Sequence, residues 1–242
     1  MRSMLILAAA ALAVATSGCT STKVLKPDVP HRFDAGHAKF LLMPLDVELL
    51  ELAAGGITSP RADWTAAARG HLQKSIVERL AKKNGTVVEA DESLLSPDSQ
   101  HLQLFKLHEA IGTSIFQFQA GGPNGQLQVL PTLEKGFDWS LGSSVKDLAQ
   151  ETGTHYAMFV FVRDSYATAG RKAAVVGAVL VAAVTGVYIP VGTGVRNAFA
   201  SLVDLETGQV VWFNRLYSET GDLREEEPAA KAAEALLEDF PL

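Results

Sequence analysis

One cysteine, Cys19, occurs in the 242 residues. A single thiol closes no disulfide within the chain and builds no multi-thiolate metal site. Aromatic residues are sparse at 7%, and 21 Lys and Arg stand against 27 Asp and Glu, a net charge of −6. A negative chain with scattered basic residues lacks the cationic face that binds phosphate backbones, so nucleic acid is not an expected partner. The apolar run at the start, Met4 to Val14, is too short to span a bilayer, which takes about 20 apolar residues. What remains is a chain long enough to bury one good core in one or two domains.

The chain opens MRSMLILAAAALAVATSGC, with one early charge at Arg2, an apolar middle and small residues before Cys19. That is the three-part layout of a secretory signal. Within it Thr16-Ser17-Gly18-Cys19 resembles the bacterial lipobox, although Thr16 stands where Leu is usual. The resemblance implies a leader over residues 1–18, export, and a cysteine that is acylated and becomes residue one. An ordinary signal peptide with a chance cysteine is the alternative reading. With Cys19 acylated no thiol is left for catalysis or metal binding, and a mature chain without Arg2 carries −7. Thr20, not Asp, follows the cysteine, which in enteric-type lipoproteins implies the outer membrane, with the domain on the periplasmic face.

Residues 19–36 mix Ser, Thr, Pro, Asp and Gly without a sustained period and are expected to be a flexible tether, leaving 37–242 as one periplasmic domain. KFLLMPLDVEL then reads as a buried strand that stops near Pro44. Ser59-Pro60 offers an N-cap and a first-turn proline to a helix whose stripe is Trp64, Ala68, Leu72, Ile76 and Leu80, closed by Asn84-Gly85. The strand TVVEA follows. A helix from about Pro97 to Ile115 is expected to turn Leu104, Leu107 and Ile111 one way, and residues 119–142 to form a long loop. The short helix SSVKDLAQETG leads into HYAMFVFVRDSYA, the strongest strand signal in the chain. A hairpin over 196–222 turns at Glu206-Thr207-Gly208-Gln209, with Gly208 needing positive φ, and a last helix from about Glu227 aligns Ala232, Leu236 and Phe240. This order predicts an α/β fold: a single mixed-sheet α/β sandwich with a C-terminal β-hairpin and helix, plus an apolar small-residue insertion at 173–195.

The hairpin ASLVDLETGQVVWFNRL, with Asp204, Thr207-Gly208 and Trp212, resembles the closing hairpin of several periplasmic lipoproteins, among them penicillin-binding-protein activators and the curli secretion-channel lipoprotein. Together with the MPLDVEL strand it implies a domain of the TolB N-terminal type over about half of the chain. The whole chain is also similar to a widespread type of uncharacterised proteobacterial lipoprotein, which implies no activity. Trp212 reads as well as a core or cross-strand aromatic.

Catalytic patterns are weak. His101 and His108 lie two helical turns apart with Glu109 beside the second, whereas a zinc helix brings its ligands within one turn. They are expected to be exposed or partly buried histidines that titrate near neutrality. Gly192-Thr193-Gly194 lacks a third glycine, since Asn197 stands there, and Ser143-Ser144 forms no nucleophile elbow. Asp46 and Glu48 read as a solvated face, and Glu225-Glu226-Glu227 as charge complementing a helix N-terminus. No enzyme, cofactor, metal site or small-molecule substrate is expected.

Between Lys172 and Arg196 no charge occurs. As a helix this stretch lines up Ala174, Ala178, Ala182 and Gly186, a row of small residues that permits close contact, and Pro190 and Gly192 interrupt it. Three readings stay open: a membrane span, a segment packed within the protein or against a second copy, and an insertion touching the bilayer. The third has an analogy in the curli channel family, whose insertions between strands build its pore. Two functions follow. The first is a non-catalytic outer-membrane lipoprotein acting as a binding or assembly factor for an envelope complex. The second is a subunit of an oligomeric export or pore-forming complex that uses residues 173–195. The expected partners are the membrane, through the lipid, and either an envelope protein or another copy.

Overall fold

The computed structural model describes residues 20–28, 38–82, 86–122, 136–186 and 192–241. The leader, Cys19, residues 29–37, the centre of the long loop and residues 187–191 of the insertion lie outside the described residues. Eight strands form one mixed sheet, with the order β1-β8-β7-β6-β2-β5, while β3 pairs with β6 and β4 with β3. The strands are β1 Thr20–Leu25, β2 Lys39–Leu42, β3 Asp46–Leu52, β4 Thr58–Pro60, β5 Thr86–Glu89, β6 Tyr156–Ala167, β7 Arg196–Asp204 and β8 Val210–Ser218. The described helices are α1 Ala62–Lys82, α2 Gln100–Phe118, α3 Val145–Thr152, α4 Ala169–Thr185 and α5 Glu226–Leu236. The expected α/β class with a mixed sheet, closing hairpin and last helix is what the structure has.

The central strand β6 organises the sheet because its residues are apolar on both faces, as a strand covered on both sides must be. On one face Met158, Val160 and Val162 join Leu72, Ile76 and Leu80 of α1 and Ala229, Ala233 and Leu236 of α5. On the other, Ala157 and Phe159 join Leu104, Phe105, Ile115 and Phe116 of α2 and Leu148 of α3. Each fully buried Leu or Phe contributes roughly 1.5–3 kcal/mol. Phe199 stacks between Phe161 and Phe213, with ring centroids 4.7 and 5.4 Å away. Gly112 of α2 lies so close to Phe199 that a Cβ there would come within 2.2 Å of the ring, so the helix meets the sheet where it has no side chain.

The hairpin forms as read. Gly208 has φ 79°, and the Asp204 carboxylate accepts from the Glu206 and Thr207 amides at 2.7 and 3.0 Å. The D-x-x-T-G pattern is thus turn chemistry: an aspartate capping its own turn and a glycine supplying the left-handed residue. Trp212 is fully buried and meets Phe240 edge-on at 5.1 Å.

Other expectations need correction. Residues 20–25 of the expected tether form β1, antiparallel to β8 from Thr20↔Ser218 to Leu25↔Phe213. Its partner lies almost 200 residues away, so no local period announces the pairing. KFLLMPLDVEL is two strands, broken at Met43–Leu45, and both run parallel to β6. Ser59-Pro60 does not open a helix; it belongs to β4, which pairs only with β3, an edge position where a missing amide costs nothing. Helix α2 is capped by Ser99, whose Oγ accepts from the Leu102 amide at 3.1 Å. Leu107 is exposed, because the buried face of α2 centres on His108 and Gly112, which an apolar count passes over.

Candidate functional site

Helix α4 connects β6 to β7. Thr168 caps it, its Oγ1 accepting from the Arg171 amide at 3.1 Å, and Gly186 ends it in the left-handed conformation with φ 72°. Two contacts tie its base: Arg171 donates from Nε to the Gly192 carbonyl at 2.9 Å and from Nη1 to the Ala54 carbonyl at 3.2 Å. Beyond that base the helix buries no residue at all. Val176, Val179, Leu180, Val181 and Val184 are exposed, Val184 at 86%. Among the sequence-predicted contact residues Ala178 and Ala182 are half-buried, Ala174 is exposed, and Gly186 is the cap. The small residues therefore lie partly on the sheltered side, and the large ones form the open arc. The small-residue row accounts for close packing, and the arc follows from the 3.6-residue period applied to the valines between.

At 17 residues α4 is about 25 Å long, short of the ~30 Å hydrocarbon core. No described helix is long and apolar enough to cross a membrane. The reading of this stretch as packed inside the domain does not hold for α4, whose apolar side chains face outward.

A buried ionic network holds the strands from which α4 springs. Arg196, the first residue of β7, donates from Nε to Asp164 Oδ2 at 2.7 Å, and both side chains are about 95% buried. Tyr166 donates to the same carboxylate oxygen at 2.7 Å and accepts from the Leu223 amide at 2.7 Å. The remaining guanidinium nitrogens reach the carbonyls of Thr220 and Gly221 at 3.3 and 3.1 Å. Burial pushes the Asp164 carboxyl up, against the pull of Arg196, and burial followed by the Asp164 charge raises the Tyr166 phenol. Register puts Asp164 opposite Arg196, Arg196 opposite Ser218, and Ser218 opposite Thr20. The residue after Cys19 and the root of α4 thus share one end of the sheet. Cys19 itself lies outside the described residues.

The opposite end of the sheet carries an open groove of about 460 Å³ lined by Lys146, Gln150, Thr154, His155 and Glu206 among others. The His155 Nδ1 there accepts from the Lys39 amide at 3.1 Å.

The histidines of α2 go separate ways. His101 lies 3.4 Å from Glu151. His108 is buried, stacks on Phe159 with centroids 4.2 Å apart, and shares a 2.6 Å hydrogen bond with Ser201. Burial pushes its imidazole down to about 3, so the expectation of a histidine titrating near neutrality fails for His108. No group of three His, Cys, Asp or Glu among the described residues is placed to hold a metal. Asp46 and Glu48 are not simply solvated: they meet Arg163 at 2.8 and 3.5 Å, with Glu109 at 3.7 Å on its other side. Glu226 and Glu227 lie in the first turn of α5 as read, and also pair with Lys74 and Lys231.

The buried His108 makes stability depend on pH. Its folded pKa lies below its unfolded value near 6.5, so the unfolded chain binds the extra proton. The contribution is complete above pH 6.5 and is lost as pH falls toward 3, by up to about 1.4 kcal/mol per unit. Urea midpoints measured from pH 7.5 to 4.5 should fall more steeply for the native chain than for His108→Gln, which keeps a partner for Ser201 without the titration. Parallel curves would contradict the burial.

No family model matches the sequence, and no curated protein matches it either. Among solved structures the fold is similar to that of PelC from Paraburkholderia phytofirmans, crystallised as a dodecamer. The chains share 13% identity over 91% of this chain and 92% of that one, with a TM-score of 0.38. A single-residue variant of the same dodecamer matches at 11% identity over 90% and 96%, with a TM-score of 0.41. Likeness at this level carries no functional argument.

Proposed function

We propose that the chain is a non-catalytic lipoprotein, anchored through Cys19 to the outer membrane and facing the periplasm, that binds a protein of an envelope complex. The observation that supports it most is the difference between the two ends of the sheet. One end holds Thr20, next to the lipobox cysteine, together with the apolar α4. The other carries the open groove with Lys146, His155 and Glu206, which an anchor at Cys19 turns away from the bilayer toward a periplasmic partner. The buried His108 and Ser201 are closed to any substrate, which fits a binding role. Sucrose-gradient fractionation of cells labelled with palmitate tests the anchor. Label in this chain in the outer-membrane fraction, abolished by Cys19→Ala, is the expected result; an unlabelled chain in the soluble periplasm contradicts it.

A second reading, a subunit of an oligomeric export or pore-forming complex, is favoured by the uncovered apolar arc of α4. Sedimentation in detergent separates the two: a ring-sized homo-oligomer supports the subunit reading, and a monomer supports the binding factor.

A further inference from the structure

We infer that α4 and the Ala53–Ile57 turn together form a bilayer-contact surface that sets the orientation of the domain on the membrane, with acyl chains as the occupant of the apolar arc. The inference rests on the Cys19 anchor and goes beyond it, since a lipid alone fixes a point and not an orientation.

Three independent parts of the chain meet at this end of the sheet. Strand β1 starts here, with Thr20 in the row Thr20–Ser218–Arg196–Asp164, and runs away from this end. Strand β6 continues past that row through Ser165, Tyr166 and Ala167, about 10 Å in the same direction, before α4 starts. Strand β3 ends level with it, Leu52 facing Ala167, and its turn presents Ile57, 72% exposed. The turn is braced against the helix: Arg171 reaches the Ala54 carbonyl, and Gly170 packs on the Ala54 methyl group, so that a Cβ at Gly170 would stand 3.6 Å from it.

The lateral distances agree. Strand β1 is three strands from β6, about 14 Å across the sheet. An acylated Cys19 with its chains in the leaflet holds its own backbone near the headgroups, and the root of α4 then lies at the same depth or deeper. Of the eight exposed large apolar side chains among the described residues, six lie here: Ile57, Val176, Val179, Leu180, Val181 and Val184. The only charges of α4, Arg171 and Lys172, sit in its first turn, where long basic side chains can remain among headgroups while the rest of the helix enters apolar surroundings. Being short of a full span, the helix lies in one leaflet and sends no part of the domain across the membrane.

The test uses the full chain carrying Cys19→Ala behind a cleavable non-lipid signal, mixed with vesicles of phosphatidylethanolamine and phosphatidylglycerol and floated through a density step. We expect the unlipidated protein to float, and Leu180→Asp with Val184→Asp to reduce the floated fraction at least 10-fold. Leu107→Asp, which changes an exposed apolar residue away from this end, should leave flotation unchanged. All the variants should keep the native thermal midpoint, because the altered side chains are exposed. Failure of the unlipidated chain to float, or equal flotation with and without the α4 substitutions, overturns the inference. Loss of a dimer or larger species in sedimentation on the same substitutions, without any vesicle binding, overturns it in favour of a second copy on the arc. Neither outcome touches the palmitate label of native Cys19, so the anchor and the orienting surface stand or fall separately.

Discussion

Arg196→Ala lowers the free energy of unfolding by about 3–5 kcal/mol, the cost of leaving a buried carboxylate without its counter-charge. Solvent screening does not soften this figure, since both side chains are almost wholly buried. Seven hydrogen bonds converge on the network, and the substitution strands Asp164 with Tyr166 as its remaining side-chain partner. A domain of this kind has roughly 5–15 kcal/mol in all, so about a fifth or more of its stability goes. The double variant Asp164→Leu with Arg196→Met recovers most of the loss, because an apolar pair of similar volume avoids desolvating two charges. Guanidinium unfolding of the four members of this cycle measures it. A single Arg196→Ala variant within 1 kcal/mol of the native chain would mean that the pair is hydrated in solution and that the base of α4 is looser than described.

Trp212→Ala produces a comparable loss, about 3–5 kcal/mol. The indole is fully buried, its cross-strand neighbour is Leu202, and Phe240 beyond the last helix packs on it edge-on. Trp212→Phe keeps a ring against Phe240 and restores more than half of the loss. The pair of variants also separates two roles for a residue that stands out in the hairpin motif. A partner-contact tryptophan would weaken binding and leave the unfolding midpoint alone; a core tryptophan moves the midpoint first.

The parts of the fold that were legible in the sequence are those whose causes are local. Asp204, Thr207 and Gly208 specify their turn through hydrogen bonds within six residues. The stripe from Ala68 to Leu80 repeats every four residues and is buried as read. What was missed depends on distant partners. Strand β1 exists because β8 offers it an edge, and nothing in TSTKVL distinguishes such a strand from a tether. His108 belongs to the core only because Ser201, 93 positions later, satisfies its ring. Asp164 and Arg196 are brought opposite each other by the β6–β7 register, across the whole insertion.

The candidate site was legible in part. The absence of charge between Lys172 and Arg196 located the insertion, and the small-residue row suggested contact. The side of the helix that is open, and the end of the sheet it leaves from, come only from the topology. Once β1 is a strand, the segment expected to be a tether instead starts at Thr20 on the same end of the sheet as the root of α4.

The most direct measurement of the anchor is the intact mass of the chain purified from membranes. A protein that begins at Cys19 and carries the added mass of a diacylglyceryl group and an N-acyl chain is the expected result. A mature chain that begins at another residue, or one with an unmodified Cys19, would contradict the lipoprotein account and with it the assignment of that end of the sheet to the membrane.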